Sequence, residues 1–298
     1  MQRPMKKRFF KNRLEYILFL PLAFLARVLP RNVALGLGAQ LGWLSQYLLP
    51  KRTKQARDNL LQAFPDMSAA DLKQTIDDMF RHLGKSGMEM LQLDQFRTDE
   101  DVKEYFTFHG LENLQEAQAL GKGLFILTGH LGFWEVGTFF LPRLGVPVDF
   151  VAKKMKNPYI DAYFRRLREA GGGQVIEAKH GARRIVKALG EQRAVAILLD
   201  QHISPPAGIK VDFFGRPAYT TPIISQIAMK LGTPVVPAFS YRKNDNHYDI
   251  VFEPMLVFDK DNSEEAARRN TQILTDHIEA AVRKKLTQWF WVHKRWRA

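Results

Sequence analysis

The spacing of hydrophobic and polar positions changes character twice along this chain. Residues 14–30, LEYILFLPLAFLARVLP, and 32–50, NVALGLGAQLGWLSQYLLP, are apolar with little polar relief. Residues 54–64 are amphipathic, and Pro65 ends them because a proline interior to a helix loses a hydrogen bond and clashes with the preceding turn. Ser68 and Asp71 then form a capping-box-like start, after which Leu72, Ile76, Met79, Phe80 and Leu83 recur at helical spacing. The first third therefore reads as α-helical.

Beyond residue 105 short apolar runs alternate with amphipathic ones. YFTF (105–108), LFILT (124–128), VDFVA (148–152), QVI (174–176), AVAILL (194–199), KVDFF (210–214), PVVPAFSY (234–241) and HYDIVF (247–252) read as strands. Helices are predicted through Gln115, beyond Gly132, over 158–170, through 184–189, around 223–231 and over 263–286. Such alternation predicts an α/β fold: a mixed, mostly parallel central sheet flanked by helices, its central strands buried on both faces and antiparallel pairing near 235–253. There is no internal repeat, low-complexity tract or linker. The expected organisation is a basic N-terminus with membrane-associated helices over 1–50, then one catalytic domain over 51–298 with a helical lead-in at 51–100.

Composition narrows the chemistry. A chain of 298 residues, 46% of them hydrophobic, can bury a substantial core. The absence of cysteine excludes disulfides, thiolate metal ligands and cysteine nucleophiles, and fits a reducing, cytosol-facing location. The formal charge is +13, with Arg3, Lys6, Lys7, Arg8, Lys11 and Arg13 at one end and Arg283, Lys284, Lys285, Lys294, Arg295 and Arg297 at the other. Such clusters suit nucleic acid, anionic lipid headgroups or an acidic protein, and also an ordinary solvated surface.

The apolar N-terminal stretches help choose. A membrane span takes about 20 mainly apolar residues. Pro21 and Arg27 interrupt the first stretch, while the second is glycine-rich and holds Gln40 and Gln46, so neither qualifies cleanly. Arg27 and Arg31 lie where a signal-peptide cleavage site would fall, so no removed leader is read. Basic residues before Leu14 and again over 51–57 would keep both flanks in the cytoplasm, which favours a hairpin or interfacial anchor over a single crossing. Two buried helices of a soluble fold are the alternative.

The candidate chemistry begins at LTGHLGFWE (127–135). Five helical residues advance about 500°, which leaves His130 and Glu135 roughly 140° apart, so they cannot share a helical face. They can cooperate if His130 lies in a strand-to-helix turn allowed by Gly129 and Gly132, with a helix starting near Phe133 and Glu135 in its first turn reaching back to the imidazole. A carboxylate on one ring nitrogen fixes the tautomer and leaves the other nitrogen as a general base. Backbone N–H groups of the 129–133 turn would then steady an oxyanion. Zinc is not suggested, because the spacing is not that of a two-histidine helical motif, and no serine sits in a G-x-S-x-G turn. Asp200 ends another apolar strand, and ligands of α/β sheets bind at carboxyl ends of strands; a turn-capping role is the alternative. Arg216, in a glycine-proline turn, could meet a phosphate or only solvent. Lys153, Lys154, Arg165, Arg166 and Arg168 follow the 148–152 strand and suggest an anionic substrate.

Taken together, H-x-x-x-x-E at His130 and Glu135, DQ at Asp200 and Gln201, FFGRPA (213–218) and QWFWVHKRW (288–296) resemble the lipid A biosynthesis acyltransferases, the late enzymes that acylate a Kdo-bearing lipid A precursor. The likeness spans nearly the whole chain. It implies transfer from acyl carrier protein thioester to a hydroxyl of a phosphorylated glycolipid at the cytoplasmic face of the inner membrane, with no cofactor, no metal and no nucleic acid. It implies His130 as base and Glu135 as its partner, with Arg168 and Asp200 functionally required and Lys153, Gln201 and Arg216 near substrate. Arg165 or Arg166 could replace Arg168 in that match. Lys153 and Lys154 stand where many members have Arg-Pro, so a bidentate phosphate grip is in question. The competing acceptors are a lysophospholipid, an ornithine lipid or a phosphatidylinositol mannoside. The remote alternative is a non-enzymatic basic membrane scaffold or nucleic-acid binder.

Overall fold

The computed structural model describes residues 5–297 apart from Arg97 and His180, with side chains described from Phe9 onward. Of the N-terminal basic cluster, Arg3 and the side chains of Lys6, Lys7 and Arg8 thus lie outside the described residues.

Four helices open the chain: α1 (Met5–Val28), α2 (Arg31–Leu48), α3 (Pro50–Ala63) and α4 (Ala69–Leu91). Pro50 occupies the first turn of α3, where its missing N–H costs nothing, and the Ser68 hydroxyl accepts from the Asp71 N–H to start α4. Helices α2 and α4 cross in close contact because Gly38 and Gly42 face Gly84. A Cβ on Gly84 would collide with the Gly38 carbonyl, and one on Gly42 with that of Phe80. Phe19 of α1 packs on Tyr163 and Phe164 of the later helix α8 (Pro158–Glu169), and Arg27 pairs with Asp94. The opposite side of this pair of helices is bare. Among the described residues, 16 of the 20 exposed large hydrophobics lie between Phe9 and Leu49. Among the described residues no helix is long and apolar enough to cross a membrane.

The remaining elements are α5 (Asp99–Tyr105), β1 (Phe106–His109), α6 (Leu111–Ala119), β2 (Leu124–Thr128), α7 (Gly137–Arg143), β3 (Val148–Ala152), β4 (Val175–Glu177), α9 (Ala182–Gly190), β5 (Ala194–Leu198), β6 (Ile209–Phe213), β7 (Arg216–Thr220), α10 (Ile223–Leu231), β8 (Val235–Arg242), β9 (Tyr248–Phe252) and α11 (Glu264–Lys284). Seven strands form one sheet in the order β1-β9-β8-β2-β5-β3-β4. Every pairing is parallel except β8 with β9, so the sheet is mixed and mostly parallel, with its antiparallel pair at 235–252. Alternation along β2 accounts for burial on both faces. Phe125 and Leu127 enter the core beneath α4 and α11, whereas Leu124 and Ile126 enter the core that contains Phe139 and Phe140 of α7.

Three local expectations fail. FFGRPA is a hairpin, with β6 and β7 antiparallel around a two-residue turn at Phe214 and Gly215, both at positive φ. That turn matches the twist of flanking strands, and Pro217 is tolerated because this is a two-stranded edge. Phe133 does not begin a helix: a 3₁₀ turn spans Trp134–Val136 and α7 starts at Gly137. The C-terminal basic cluster is only partly at the surface, with Lys285, Lys294 and Arg297 exposed. Trp289, Trp291 and Arg295 are buried, while Arg283 pairs with Glu279 and Lys284 with Glu253.

Candidate active site

Strands β2, β5 and β3 are parallel neighbours, so their carboxyl ends open on the same edge of the sheet. Thr128 pairs with Leu198, and two residues further on the same register sets His130 opposite Asp200. The Asp200 carboxylate accepts from the His130 Nδ1 at 2.7 Å, from the His130 backbone N–H at 2.6 Å and from the Trp289 indole at 2.7 Å. Burial alone would raise its pKa, but the adjoining imidazole and these hydrogen bonds hold it at about 2, so the group is an anion. An anionic carboxylate only accepts, which places the ring proton on Nδ1 and the lone pair on Nε2. The Gln201 amide donates to that Nε2 at 3.0 Å. Trp134 and Phe290 flank the ring, with centroids 5.0 and 5.8 Å away.

The turn that presents His130 is pinned from several directions. Gly132 has φ +61, and a Cβ there would collide with the Ser240 carbonyl, so only glycine fits. The Gly132 carbonyl accepts from His82 Nε2 of α4 at 3.1 Å, and the His130 carbonyl from the Phe290 N–H at 3.0 Å. Four of the five amides expected to form an oxyanion hole in this turn are engaged elsewhere. The His130 amide is engaged with Asp200, Leu131 with the Gly129 carbonyl, Gly132 with the Gln288 carbonyl and Phe133 with the Ser240 hydroxyl.

Glu135 is not the partner of His130. The 3₁₀ turn directs it toward α8, where Arg168 grips it with two hydrogen bonds of 2.8 and 2.5 Å. Burial would lower the Arg168 pKa, but the Glu135 hydrogen bonds and charge raise it instead, so the guanidinium stays charged. Arg165 faces Glu169 and Glu177, and Arg166 lies over the Tyr163 ring, which leaves Arg168 as the arginine of this helix that reaches the site.

A cavity of about 560 Å³ opens over these groups. His130, Gln201, Glu135, Arg168 and Lys153 form its polar lining, and Ile126, Phe140, Leu141, Phe150, Ile250 and Phe252 its apolar interior. Asp200 sits buried behind the imidazole. Arg216 lies outside, exposed at the start of β7, because the hairpin carries it away from the sheet edge. Trp289, His82 and Ser240 were missed by sequence reasoning. Only Trp289 carried a signal, as part of the QWFWVHKRW block, which did not point to Asp200. Among the described residues no three His, Asp or Glu side chains group as metal ligands.

Residues 4–298 match the family model described as bacterial lipid A biosynthesis acyltransferase. The lipid A biosynthesis palmitoleoyltransferase of Escherichia coli is 26% identical over 272 residues, covering 90% of this chain and 86% of the relative. The lipid A biosynthesis acyltransferase of Haemophilus influenzae is 23% identical over 251 residues, covering 84% and 77%. A phosphatidylinositol mannoside acyltransferase of Mycobacterium tuberculosis is 24% identical over 193 residues, covering 63% and 59%. Among solved structures, the 1-acyl-sn-glycerophosphate acyltransferase of Thermotoga maritima aligns at a TM-score of 0.39 with 14% identity, over 86% of this chain and 99% of its own.

Proposed function

The chain belongs to the bacterial lipid A biosynthesis acyltransferase family, and from that premise we propose that it moves a fatty acyl chain from acyl carrier protein to a hydroxyl of a phosphorylated lipid A precursor. The observation that carries this reading is an imidazole held in one tautomer by a buried anion, with its basic nitrogen at the mouth of an apolar cavity of chain-holding size. His130 Nε2 takes the proton of the acceptor hydroxyl as that oxygen bonds to the thioester carbonyl carbon. The tetrahedral intermediate expels the carrier thiolate, which recovers the proton from the imidazolium. An ester and a free carrier thiol result, with no acyl-enzyme and no metal or cofactor required.

Asp200 orients the base and stabilises its charged form. Gln201 is the donor nearest the reacting nitrogen; once a hydroxyl replaces it on Nε2, its amide is free to meet the carbonyl oxygen as charge develops. Glu135 and Arg168 brace α8 against the turn, and Arg168 adds positive charge to the lining. Lys153 is exposed at the rim, as a phosphate or an acidic carrier protein would require.

The bare apolar face of α1 and α2 supports an interfacial seat on the cytoplasmic side of the inner membrane. His130→Ala should lower transfer by about 10²–10⁴-fold with the fold retained. Mass spectrometry of the lipid product made by purified enzyme reads this and also identifies the acceptor; near-normal turnover by the alanine variant would sink the assignment.

A further inference from the structure

A second cavity, about 620 Å³, lies between the N-terminal helices and the tail, outside the proposed chemistry. Its walls are apolar, including Phe19, Leu83, Met88 and Leu91. One edge opens onto the bare face of α1 and α2, since Leu22 and Leu41 belong to both. The other edge is the tail at Phe290, Val292 and His293. Phe290 is also the ring 5.8 Å from the His130 imidazole, so this side chain borders both the groove and the reacting histidine. Arg52 lines the same edge and donates to the Val292 carbonyl at 3.2 Å, with exposed Lys51 beside it.

Gly87 points to the groove being kept open. It lies inside α4, where glycine weakens a helix relative to alanine, yet a Cβ there would meet nothing within 4 Å. Packing does not demand glycine at this position, unlike at Gly38, Gly42 and Gly84.

We propose that this groove seats a hydrocarbon chain of the anionic lipid acceptor. The chain enters from the membrane surface along α1 and α2, with its headgroup beside Arg52, and the acceptor hydroxyl reaches His130 from the Phe290 side. The first cavity is left to the donor chain. This rests on the acyltransfer reading and extends it to the route of the second substrate: a membrane lipid can enter only where apolar surface meets the bilayer, and this groove is continuous with that surface. The cations at its edge match a phosphorylated headgroup.

The test uses full-length protein in mixed micelles with phosphatidic acid carrying a diazirine midway along one acyl chain, irradiated and mapped by peptide mass spectrometry. Adducts are expected within 84–91 and 290–293. Gly87→Phe, which fills the groove, should cut them about tenfold. Gly87→Ala, and Gly36→Phe at an equally open position outside the groove, should leave them intact. In turnover, Gly87→Phe should raise the KM for phosphorylated glycolipid about tenfold or more while the KM for acyl carrier protein thioester stays put. Adducts confined to the first cavity, or an acceptor KM indifferent to Gly87→Phe, would overturn the proposal. Labelling of the unaltered protein requires no variant to fold. If the wild type transferred nothing, the acyltransfer reading would fall while labelling still decided the groove: adducts keep it, their absence removes it.

Discussion

Asp200 and Glu89 are both buried carboxylates crowded by donors, yet only Asp200 holds a donor that lines the cavity over the site. Asp200 holds an imidazole whose side chain is 19% exposed and whose second nitrogen meets Gln201 at the cavity lining. Glu89 accepts from Arg31, from Arg242 and from the Tyr248 hydroxyl, each at 2.5 Å, and neither its own side chain (0% exposed) nor that of Arg242 (4%) leads anywhere. Burial and the Glu89 charge push the Tyr248 phenol well above its usual range, so it stays a fixed donor. The Glu89 cluster fastens α4 to α2 and to strands β8 and β9. Density of hydrogen bonds therefore does not mark a site. A buried anion becomes part of a reaction when one of its donors can pass a proton to something outside.

Breaking the Asp200 side of the comparison should have the largest effect. Asp200→Asn keeps the shape but removes the anion and turns an amide toward at least one donor, so the imidazole loses its fixed tautomer. Transfer should fall by about 10²–10⁴-fold, measured as kcat with purified enzyme, while the far-ultraviolet spectrum is unchanged. A variant within a few-fold of wild type would mean that Asp200 only props up the turn.

The Glu89 side should respond in stability. Arg242→Met leaves buried Glu89 with Arg31 but without the second of its two cations, and removing one partner from a buried ion pair costs up to about 3–5 kcal/mol. The midpoint of urea unfolding should drop accordingly, while activity per folded molecule changes by less than about tenfold. A large loss of kcat at unchanged stability would reverse the roles assigned to the two clusters.

The same contrast explains how much was legible in the residues alone. Strands β2, β3 and β5 announce themselves as short apolar runs, and the polar residue that ends each run, His130, Lys153 and Asp200, is visible without coordinates. Local pattern also carries Ser68 as a cap and the antiparallel pairing near 235–252. Partner choice was not legible. Glu135 lies five positions from His130 and Asp200 lies seventy, but parallel register brings the distant carboxylate to the imidazole while a 3₁₀ turn sends the near one to Arg168. The burial of Trp289, which supplies the third donor to Asp200, likewise depends on a tail with no regular periodicity.

His82 joins the two clusters and yields the smallest effect. Its Nε2 donates to the Gly132 carbonyl of the His130 turn, and its Nδ1 faces Arg242 at 3.4 Å. Burial first, and the Arg242 charge second, lower its pKa to about 3, whereas an unfolded histidine titrates near about 6.5. Between those values the unfolded chain holds a proton that the folded chain does not, so stability rises with pH across that window and is lost as pH falls from about 6.5 toward 3. His293, lowered to about 4 chiefly by burial, adds the same sign over a narrower range, and Asp200 extends it below about 3.8. From pH 7 to pH 5 the His82 contribution is about 2 kcal/mol, since one pKa unit corresponds to about 1.4 kcal/mol. His82→Gln can keep the donor to Gly132 without the titration, so its urea midpoint should fall less steeply over that interval than that of the wild type. Parallel curves for the two proteins would mean that His82 gains a proton without unfolding the helix that carries it, and the link from the sealed cluster to the His130 turn would then be looser than its hydrogen bonds imply.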